Sequence, residues 1–463
     1  MKKTFLIPLV LLLAIGSLCA QSDEDLFGSD DDLFGDDDFL IEEVEDVSAK
    51  TDLSKGILFD NGSVKIGGSL SASASLSTTL YQKDTKFADN LKNSTLSPSL
   101  ASSITLDARP KQDLRLFSRF NLSYPFTGNV LNVKEMFTDF NAGDYVSFRF
   151  GLHTVTWGTG LFYSPVSDMI NTSSIDPEHR DEQVDGSLNL RTLINIPGTM
   201  NNLWIYVIPD KGTLTDLPKV RDTALAVKGE FVAGGWELGA GAFYKYNTAP
   251  RAMLTASGSI KKWALFGEAV YQYGSDREWL ENAGFSDKKS VIKATAGFMR
   301  SWEDPNISLL AQYYYDGNDF DASDYDPDVK FYKDHMDFLS EYGTKGHNIA
   351  VSLGFSKLFG CKDLSLSLLG LANLTKPKLI DDNTLLVSVM NDPELDTSEK
   401  KMELMYKVQM LKQISRGVFS ATLNYAFNEN TSIGFGPYIT VADWKKAPVV
   451  ALKLNFTLGG GKF

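Results

Sequence analysis

The chain has little of the chemistry that metal centres and catalytic sites need. It contains only two cysteines and four histidines in 463 residues. One of them, Cys19, lies within the first 20 residues, which are expected to be removed as a signal peptide. The single remaining cysteine cannot form a cysteine-based metal site. The histidines lie in no catalytic signature, although His179 with Asp176 and Asp181 is a conceivable cluster at a barrel rim. The sequence therefore predicts no enzyme, no cofactor and no metal site.

Long apolar runs are also missing. No stretch after residue 20 reaches the roughly eighteen apolar residues of a transmembrane helix. Residues 1–20 hold Lys2, Lys3 and the shorter apolar run Phe5–Ile15, followed by small residues up to Ala20. This order is typical of a secretory signal peptide, best cut after Ala20. Lipidation of Cys19 is the less favoured alternative, because the bulky Leu18 precedes it.

Basic residues are absent from residues 21–47, which contain thirteen Asp and Glu. The formal charge of the whole chain is −14, and it is −3 when this segment and the two signal lysines are left out. A like-charge run of this density predicts disorder, so residues 21–62 are interpreted as an acidic, largely disordered periplasmic leader. The repeats Asp25–Gly28 and Asp32–Gly35 leave a second interpretation open, in which residues 21–47 dock on a periplasmic partner. No nucleic-acid partner is predicted.

What the chain does have is alternation. From Val64 to Leu80 the even positions are mostly apolar and the odd ones mostly serine or threonine. Side chains alternate between the two faces of a strand, so this is a long β-strand with one apolar and one polar face. Similar segments recur to the end of the chain, and they are 64–80, 96–108, 113–124, 133–140, 145–155, 188–195, 202–208, 223–232, 236–245, 251–259, 263–273, 290–299, 307–315, 348–355, 364–371, 418–427, 432–440 and 448–458.

These segments predict an all-β fold, a transmembrane antiparallel up-and-down β-barrel of about 18 strands spanning residues 63–458. Short links alternate with long ones, as in bacterial barrels with short periplasmic turns, long outer loops and an even strand number. Weak alternation in 384–413 leaves 20 strands open, within a range of 16–20. A secreted β-sandwich or β-solenoid is the soluble alternative. The tail 459–463 ends in Phe463, an aromatic residue typical of outer-membrane proteins.

Arginines mark the polar faces of the early strands. Arg109, Arg115, Arg119, Arg149 and Arg191 alternate there with acidic residues such as Asp107 and Asp139. An arginine ladder would favour anionic solutes, since each guanidinium offers several donors. Alternatively the arginines pair with the acids across strands and stiffen the wall, which the nearby acids slightly favour.

The most distinctive segment runs from Arg149 through Gly151, Trp157 and Gly158 into a loop with Pro165 and Asp168. Residues 149–171 resemble the strand-to-loop motif of the alginate-export porins. This resemblance implies an eighteen-stranded channel with an arginine-rich lumen for an acidic polysaccharide or similar anion. His153 stands where that family often has glutamine or asparagine.

Gly158 and Gly160 permit a turn by which the loop 156–187 could fold inward. We therefore predict a constriction loop whose lining residues are Trp157, Asp168, Asp176, Glu178 and Arg180, facing a pore lined by the five arginines and His153. An outer surface loop is the equal alternative.

The sequence thus predicts a porin-like outer-membrane channel for small or anionic hydrophilic solutes. Its expected partners are outer-membrane lipid and the barrel-assembly machinery. A non-conducting surface barrel, acting as an adhesin or a structural outer-membrane protein, is the alternative of a different class.

Overall fold

The computed structural model describes residues 50–52, 57–126, 131–209, 219–246, 248–274, 290–317, 346–375, 416–442 and 444–462. Within these residues, helix is confined to α1 (Phe87–Lys92) and the short 3-10 turns Ser167–Met169, Val220–Asp222 and Leu358–Gly360. The strands are β1 (Lys50–Asp52), β2 (Ile57–Asp60), β3 (Val64–Tyr81), β4 (Thr95–Lys111), β5 (Leu114–Tyr124), β6 (Leu131–Ala142), β7 (Val146–His153), β8 (Ser187–Asn195), β9 (Asn202–Ile208), β10 (Ala224–Ala233), β11 (Trp236–Tyr244), β12 (Arg251–Ile260), β13 (Trp263–Tyr273), β14 (Ser290–Trp302), β15 (Ile307–Asp316), β16 (Gly346–Phe355), β17 (Leu364–Asn373), β18 (Gly417–Asn428), β19 (Thr431–Val441) and β20 (Val449–Lys462).

Strands β3 to β20 form a closed antiparallel barrel. Each pairs with the next along the chain, and β20 pairs with β3 from Val450↔Tyr81 to Lys462↔Ser69. Strand β17 pairs directly with β18, from Leu364↔Tyr425 to Ala372↔Gly417. The segment 384–413 lies outside the described residues, and this pairing leaves no place for two further strands between β17 and β18. The predicted barrel is confirmed, with eighteen strands rather than twenty.

The alternation seen in the sequence separates an outward face from an inward one. Inward positions are identified by Glu268 and Gln312, whose side chains contact the loop inside the barrel. Large apolar side chains at outward positions stay exposed on the isolated chain, such as Leu70 at 51% and Leu254 at 62%. Such an apolar band around a closed barrel is the surface that a bilayer covers, so the barrel is a membrane-spanning one of the outer-membrane type.

Connections at the two ends of the barrel differ as the sequence predicts. At one end they are tight, as in the turn between β10 and β11, where Gly234 and Gly235 have positive φ angles of 61° and 79°. At the other end lie the long links, including 154–186 between β7 and β8. Following the rule for bacterial barrels, the tight-turn end is the periplasmic one. Among the described residues, no helix is long and apolar enough to span a membrane.

Two boundaries differ from the sequence analysis. Residues Lys50–Asp52 and Ile57–Asp60, assigned to the disordered leader, form strands β1 and β2, and β2 pairs with the start of β3. Residues 459–462, assigned to the tail, belong to β20, where Gly460 pairs with Ser71. Both errors have one cause: short or glycine-rich segments show no alternation, yet an open strand edge beside them still supplies backbone hydrogen bonds. Phe463 lies outside the described residues.

Candidate functional site: the loop inside the barrel

The link between β7 and β8, residues 154–186, is folded inside the barrel and is called the lumen loop below. Its two limbs are joined near their base, where Asn171 exchanges two hydrogen bonds with the backbone of Val155, at 2.9 and 2.8 Å. Further along, the Thr172 N–H donates to the carbonyl of Asp185 at 2.9 Å. The loop is therefore a closed unit with its own internal contacts.

Apolar packing holds the base of the lumen loop against strands β9 to β13. Val155, Trp157 and Val166 are almost completely buried, and they belong to one cluster with wall residues that include Tyr206 and Met253. The Trp157 and Tyr206 rings meet edge to face, with centroids 4.8 Å apart. Burial of several large side chains in one cluster gives this contact several kcal/mol of stabilisation by a rough estimate.

The middle of the loop packs against strands further round the barrel. Phe162 has no exposed surface, and it clusters with Leu310 on β15, Ala350 on β16 and Val418 on β18. Tyr163 stacks on Tyr314 with ring centroids 5.0 Å apart. The even position of Tyr314 on β15 turns its side chain inward, under the loop.

Gln312 on β15 anchors the loop through hydrogen bonds at both ends of its side-chain amide. Its Oε1 accepts hydrogen bonds from the backbone N–H groups of Leu161 (3.0 Å) and Phe162 (2.7 Å). Its Nε2 donates to the Tyr163 carbonyl at 2.7 Å and to Thr295 Oγ1 at 2.6 Å. Because Gln312 is only 2% exposed, water cannot replace these bonds, and the loop backbone is fixed to the wall at this point.

Glu268 on β13 anchors Gly160 and Ser164 of the lumen loop. Its Oε1 accepts from the Gly160 N–H at 3.2 Å, and its Oε2 accepts from the Ser164 hydroxyl at 3.5 Å. A Cβ atom at Gly160 would collide with the Tyr163 carbonyl and with the side chains of Glu268 and Gln312. The glycine that the sequence analysis assigned to a turn is thus also needed for close approach to the wall.

A third anchor is Lys228 on β10. Its Nζ donates to the Trp157 carbonyl at 2.7 Å and to Glu230 Oε1 at 2.8 Å. The other oxygen of Glu230 accepts from the Trp204 indole at 2.6 Å. A buried ammonium is stable only when paired and hydrogen-bonded, and both conditions are met here.

The second limb of the loop carries its exposed charges. Glu178 accepts a hydrogen bond from the Tyr438 hydroxyl on β19 at 2.8 Å, and Lys453 Nζ lies 3.2 Å from the centre of that ring. Asp176 accepts from His179 Nδ1 at 2.9 Å, and this hydrogen bond raises the pKa of His179. Arg180 lies over the Phe162 ring at 5.4 Å. The loop thus contacts the wall from β9 round to β19 while keeping a charged surface.

Asp168 lies beneath this surface. Burial raises its pKa to about 7, and Asp316 adds to the rise, while Lys293 and a hydrogen bond with Ser174 lower it. Its Oδ1 is buried without a hydrogen-bond partner among the described residues. Burial therefore favours the protonated form of this carboxyl at pH values below about 7.

The early strands carry what we call the charged wall: Asp107 on β4, Arg115 and Arg119 on β5, Glu135 and Asp139 on β6, and Arg149 on β7. Arg149 and Asp139 form a bidentate pair, with Nε–Oδ1 at 2.7 Å and Nη2–Oδ2 at 3.1 Å. Arg115 forms a second bidentate pair with Asp107, at 3.0 and 3.1 Å. Its Nη1 also lies 3.7 Å from Asp139, so the two pairs form one network.

The remaining predicted pore arginines are more varied. The side chain of Arg109 is 57% exposed, 3.6 Å from Asp107. Arg119 donates to Gln183 of the lumen loop at 2.7 Å and lies 3.5 Å from Glu135. Arg191 on β8 lies over the Trp204 ring at 5.5 Å. Since every arginine of the charged wall has a carboxylate within 4 Å, cross-strand pairing describes this wall better than a free arginine ladder.

Three predicted site residues are placed differently from the prediction. His153 (1% exposed), Trp157 (3%) and Arg149 (9%) are buried, so they offer little surface to the lumen. His153 packs between Phe137 and Tyr206, with ring centroids 5.8 and 6.4 Å away. The structure brings Asp176, Glu178 and Arg180 to the exposed limb and leaves Asp168 beneath it.

Sequence reasoning missed Lys228, Glu268 and Gln312. Each is a polar residue at an inward position, and that parity alone could have indicated them as lumen residues. Their contacts with residues more than seventy positions away in sequence leave no local signal. Among the described residues, no group of three or more His, Cys, Asp or Glu side chains is arranged to hold a metal ion.

No protein-family model matches the chain, and no curated protein matches it in sequence. Among solved structures it is similar to OccK2 (OpdF) of Pseudomonas aeruginosa, at 11% identity over 86% of this chain and 97% of that one, with a TM-score of 0.47. It is also similar to the outer membrane channel DcaP of Acinetobacter baumannii, at 12% identity over 87% and 99% of the chains, with a TM-score of 0.43. A BenF-like porin from Pseudomonas fluorescens matches at 6% identity over 86% and 99%, with a TM-score of 0.47. The resemblance of residues 149–171 to alginate-export porins stays a prediction.

Proposed function

We propose that this protein is an outer-membrane channel for the passive passage of small or anionic hydrophilic solutes. The observation that carries the proposal is the lumen loop. It lies inside an eighteen-stranded barrel, which is too wide for wall side chains alone to fill. It is fixed by Lys228, Glu268 and Gln312, and it keeps a charged limb exposed. A loop of this kind narrows the aqueous path through the barrel, whereas a separate plug domain would close it.

Selectivity would come from the exposed charges. Arg109 and Arg119 are the more exposed arginines of the early strands, with side chains 57% and 35% exposed. Guanidinium groups offer several donors to a carboxylate or phosphate. The acidic limb of the loop, with Asp176 and Glu178, would oppose strong anion preference. A moderate preference for small anions is therefore the proposed outcome, with an acidic sugar as the solute class that the sequence resemblance suggests.

Planar-bilayer recording of the purified full chain tests the channel. We expect discrete conductance steps, and a reversal potential in a salt gradient that favours anions. Arg109→Ala with Arg119→Ala should shift the reversal potential towards cations. Lys261→Ala with Lys262→Ala removes the same charge from a tight turn outside the lumen, so it should leave the potential unchanged. A double arginine variant that matches the wild type would remove the selectivity proposal.

The second candidate is a non-conducting surface barrel, an adhesin or structural protein. It is favoured by the amount of lumen that the loop covers, since Phe162, Trp157 and Glu178 reach strands from β9 to β19. Recordings of folded protein without conductance steps would support this candidate and exclude the channel. The docking of the acidic leader 21–47 on a periplasmic partner also stays a proposal, to be tested by pull-down with that segment.

A further inference from the structure

Arg300 is a charged residue on the outward face of the barrel. Thr295 on the same strand bonds to the inward Gln312, so the odd positions of β14 face the lumen and Arg300 faces lipid. The outward positions of β13, β14 and β15 are otherwise apolar, aromatic or small. On these three strands, all of them described, Arg300 is the one charged outward side chain.

The guanidinium lies between two tryptophans. Its central carbon is 4.8 Å from the ring of Trp263 on β13 and 4.8 Å from the ring of Trp302 on β14. The two indoles stand almost perpendicular, at 86°, with centroids 6.0 Å apart, and Phe298 packs on Trp263 at 5.4 Å. Both distances are within the range of a cation–π interaction, so the two rings hold the guanidinium from two sides.

Arg300 has no acidic partner among the described residues. No ion pair involves it, and its Nε is buried without a hydrogen-bond acceptor. Glu303 and Asp304, in the following turn, are exposed and make no ion pair with it. Its pairing partner across the strands is Leu309, which is apolar. The contrast with the charged wall is sharp, because each arginine there has a carboxylate.

The position of Arg300 along β14 indicates where a hydrogen-bond acceptor for its guanidinium would lie. It lies two residues before the periplasmic end of β14, about 7 Å along the strand. Tryptophans in membrane proteins lie at the level of the lipid headgroups, where a charge on the lipid face costs much less free energy than at the midplane. Lys261 and Lys262, in the turn beside Trp263, add positive charge at this level.

We propose that Arg300, Trp263 and Trp302 form a binding site for the phosphate group of a phospholipid in the periplasmic leaflet. The terminal Nη groups of the guanidinium donate to the phosphate oxygens, and the two indoles fix its orientation and pack on the glycerol region. An anionic phospholipid such as phosphatidylglycerol fits best, since the lysines nearby attract net negative charge. The site rests on the proposed membrane location, but it does not depend on conduction.

Native mass spectrometry of the full chain in nonionic detergent, titrated with dioleoyl phosphatidylglycerol, tests the site. Arg300→Gln should lower the fraction of protein carrying a bound lipid roughly fivefold, the size of one cation contact at a membrane surface. Arg109→Gln, which removes an equal charge from the lumen side, should bind as the wild type does. Dioleoylglycerol, which lacks the phosphate, should not distinguish the three proteins.

Equal lipid binding by the wild type and Arg300→Gln would overturn the site, as would an equal loss in Arg109→Gln. Folding of each variant is checked by its heat-modifiable migration in electrophoresis. If Arg300→Gln does not fold, Trp302→Leu provides the second variant, and we expect a smaller loss of bound phosphatidylglycerol with no change for dioleoylglycerol. A barrel that binds lipid but shows no conductance would contradict the channel and leave this site standing.

Discussion

On strands β4 to β7 the inner wall carries arginines paired with carboxylates, whereas on strands β9 to β18 much of the same wall is covered by the lumen loop. The charged wall gains its order from bidentate pairs such as Arg149–Asp139, whose arginine also lies over the Phe137 ring at 4.0 Å. The covered wall gains its order from burial of Phe162 and Trp157 and from a few polar anchors. One barrel therefore supports a rigid lumen with electrostatics on one side and packing on the other.

Truncation of Phe162 should break the covered wall most severely. Phe162→Ala removes a completely buried ring, and we expect loop docking to lose about 3–5 kcal/mol, the usual cost of such a cavity. Trypsin cleavage after Arg180 should become much faster in the folded barrel. Phe359→Ala removes an equal ring that is 93% exposed on a periplasmic turn, so it should leave cleavage unchanged. Unaltered cleavage in Phe162→Ala would show that packing does not hold the loop.

Loss of Asp139 should break the charged wall instead. Asp139→Asn leaves the buried Arg149 without its carboxylate, and we expect the barrel to lose about 3 kcal/mol of stability. Urea unfolding of the refolded protein measures this loss, while trypsin cleavage of the loop should stay close to wild type. Asp107→Asn gives the matched comparison: its partner Arg115 is 28% exposed, so solvent screening should make the loss smaller. Equal losses for both variants would contradict the role of burial.

Removal of the Gln312 amide should weaken the covered wall to a smaller extent. Gln312→Ala leaves the backbone N–H groups of Leu161 and Phe162 without an acceptor, at a cost of about 2 kcal/mol in loop docking. We expect larger current fluctuations in single-channel records. Ser257→Ala alters an inward side chain of β12 for which no hydrogen bond is seen in the described residues. If current fluctuations in Gln312→Ala match those of the wild type, other residues of the loop must provide the anchoring.

A pH titration should give the smallest effect. Burial raises the pKa of Asp168 to about 7 from an ordinary value of 3.8, so the docked loop favours the protonated form. Docking should be strongest below pH 4 and should weaken as the pH rises towards 7. Current fluctuations should therefore increase over this range, and Asp168→Asn should remove most of the increase.

Asp181→Asn changes a carboxyl whose side chain is 96% exposed on the same loop, so it should keep the wild-type pH dependence. An Asp168→Asn variant with an unchanged profile would show that another group titrates.

Much of the fold could be predicted because the bilayer imposes a simple rule on the strands. Outward residues must be apolar, so strand β13 could be predicted with both ends correct, Trp263 and Tyr273. Local alternation fails where lipid does not impose it, as at Gly459–Gly461, where pairing with β3 extends β20 to Lys462. The strand count needed the direct pairing of β17 with β18.

The candidate site was harder to predict. Gly158 and Gly160 indicated a loop able to turn inward, and the structure places it inside the barrel. The sequence did not distinguish a residue that lines the lumen from one buried beneath the loop, so His153 and Trp157 were expected to line the path. His153 is at an inward position of β7 and Trp157 lies in the loop, so both could have faced the lumen. Only their packing against Tyr206 shows that their side chains are buried.

The sequence by itself determined the barrel, its polar lumen and the end that carries the tight turns, since these follow from two-residue periodicity and turn chemistry read along the chain. Only the tertiary structure decided that Arg149 and Arg115 are bound to carboxylates and that the loop rests on Lys228, Glu268 and Gln312. It also decided that Arg300 has no carboxylate partner in the part of the chain that the structure describes. The physical reason is distance. Periodicity is set by neighbours in sequence, whereas the pairing of a buried charge is set by whichever strand the closed barrel brings beside it.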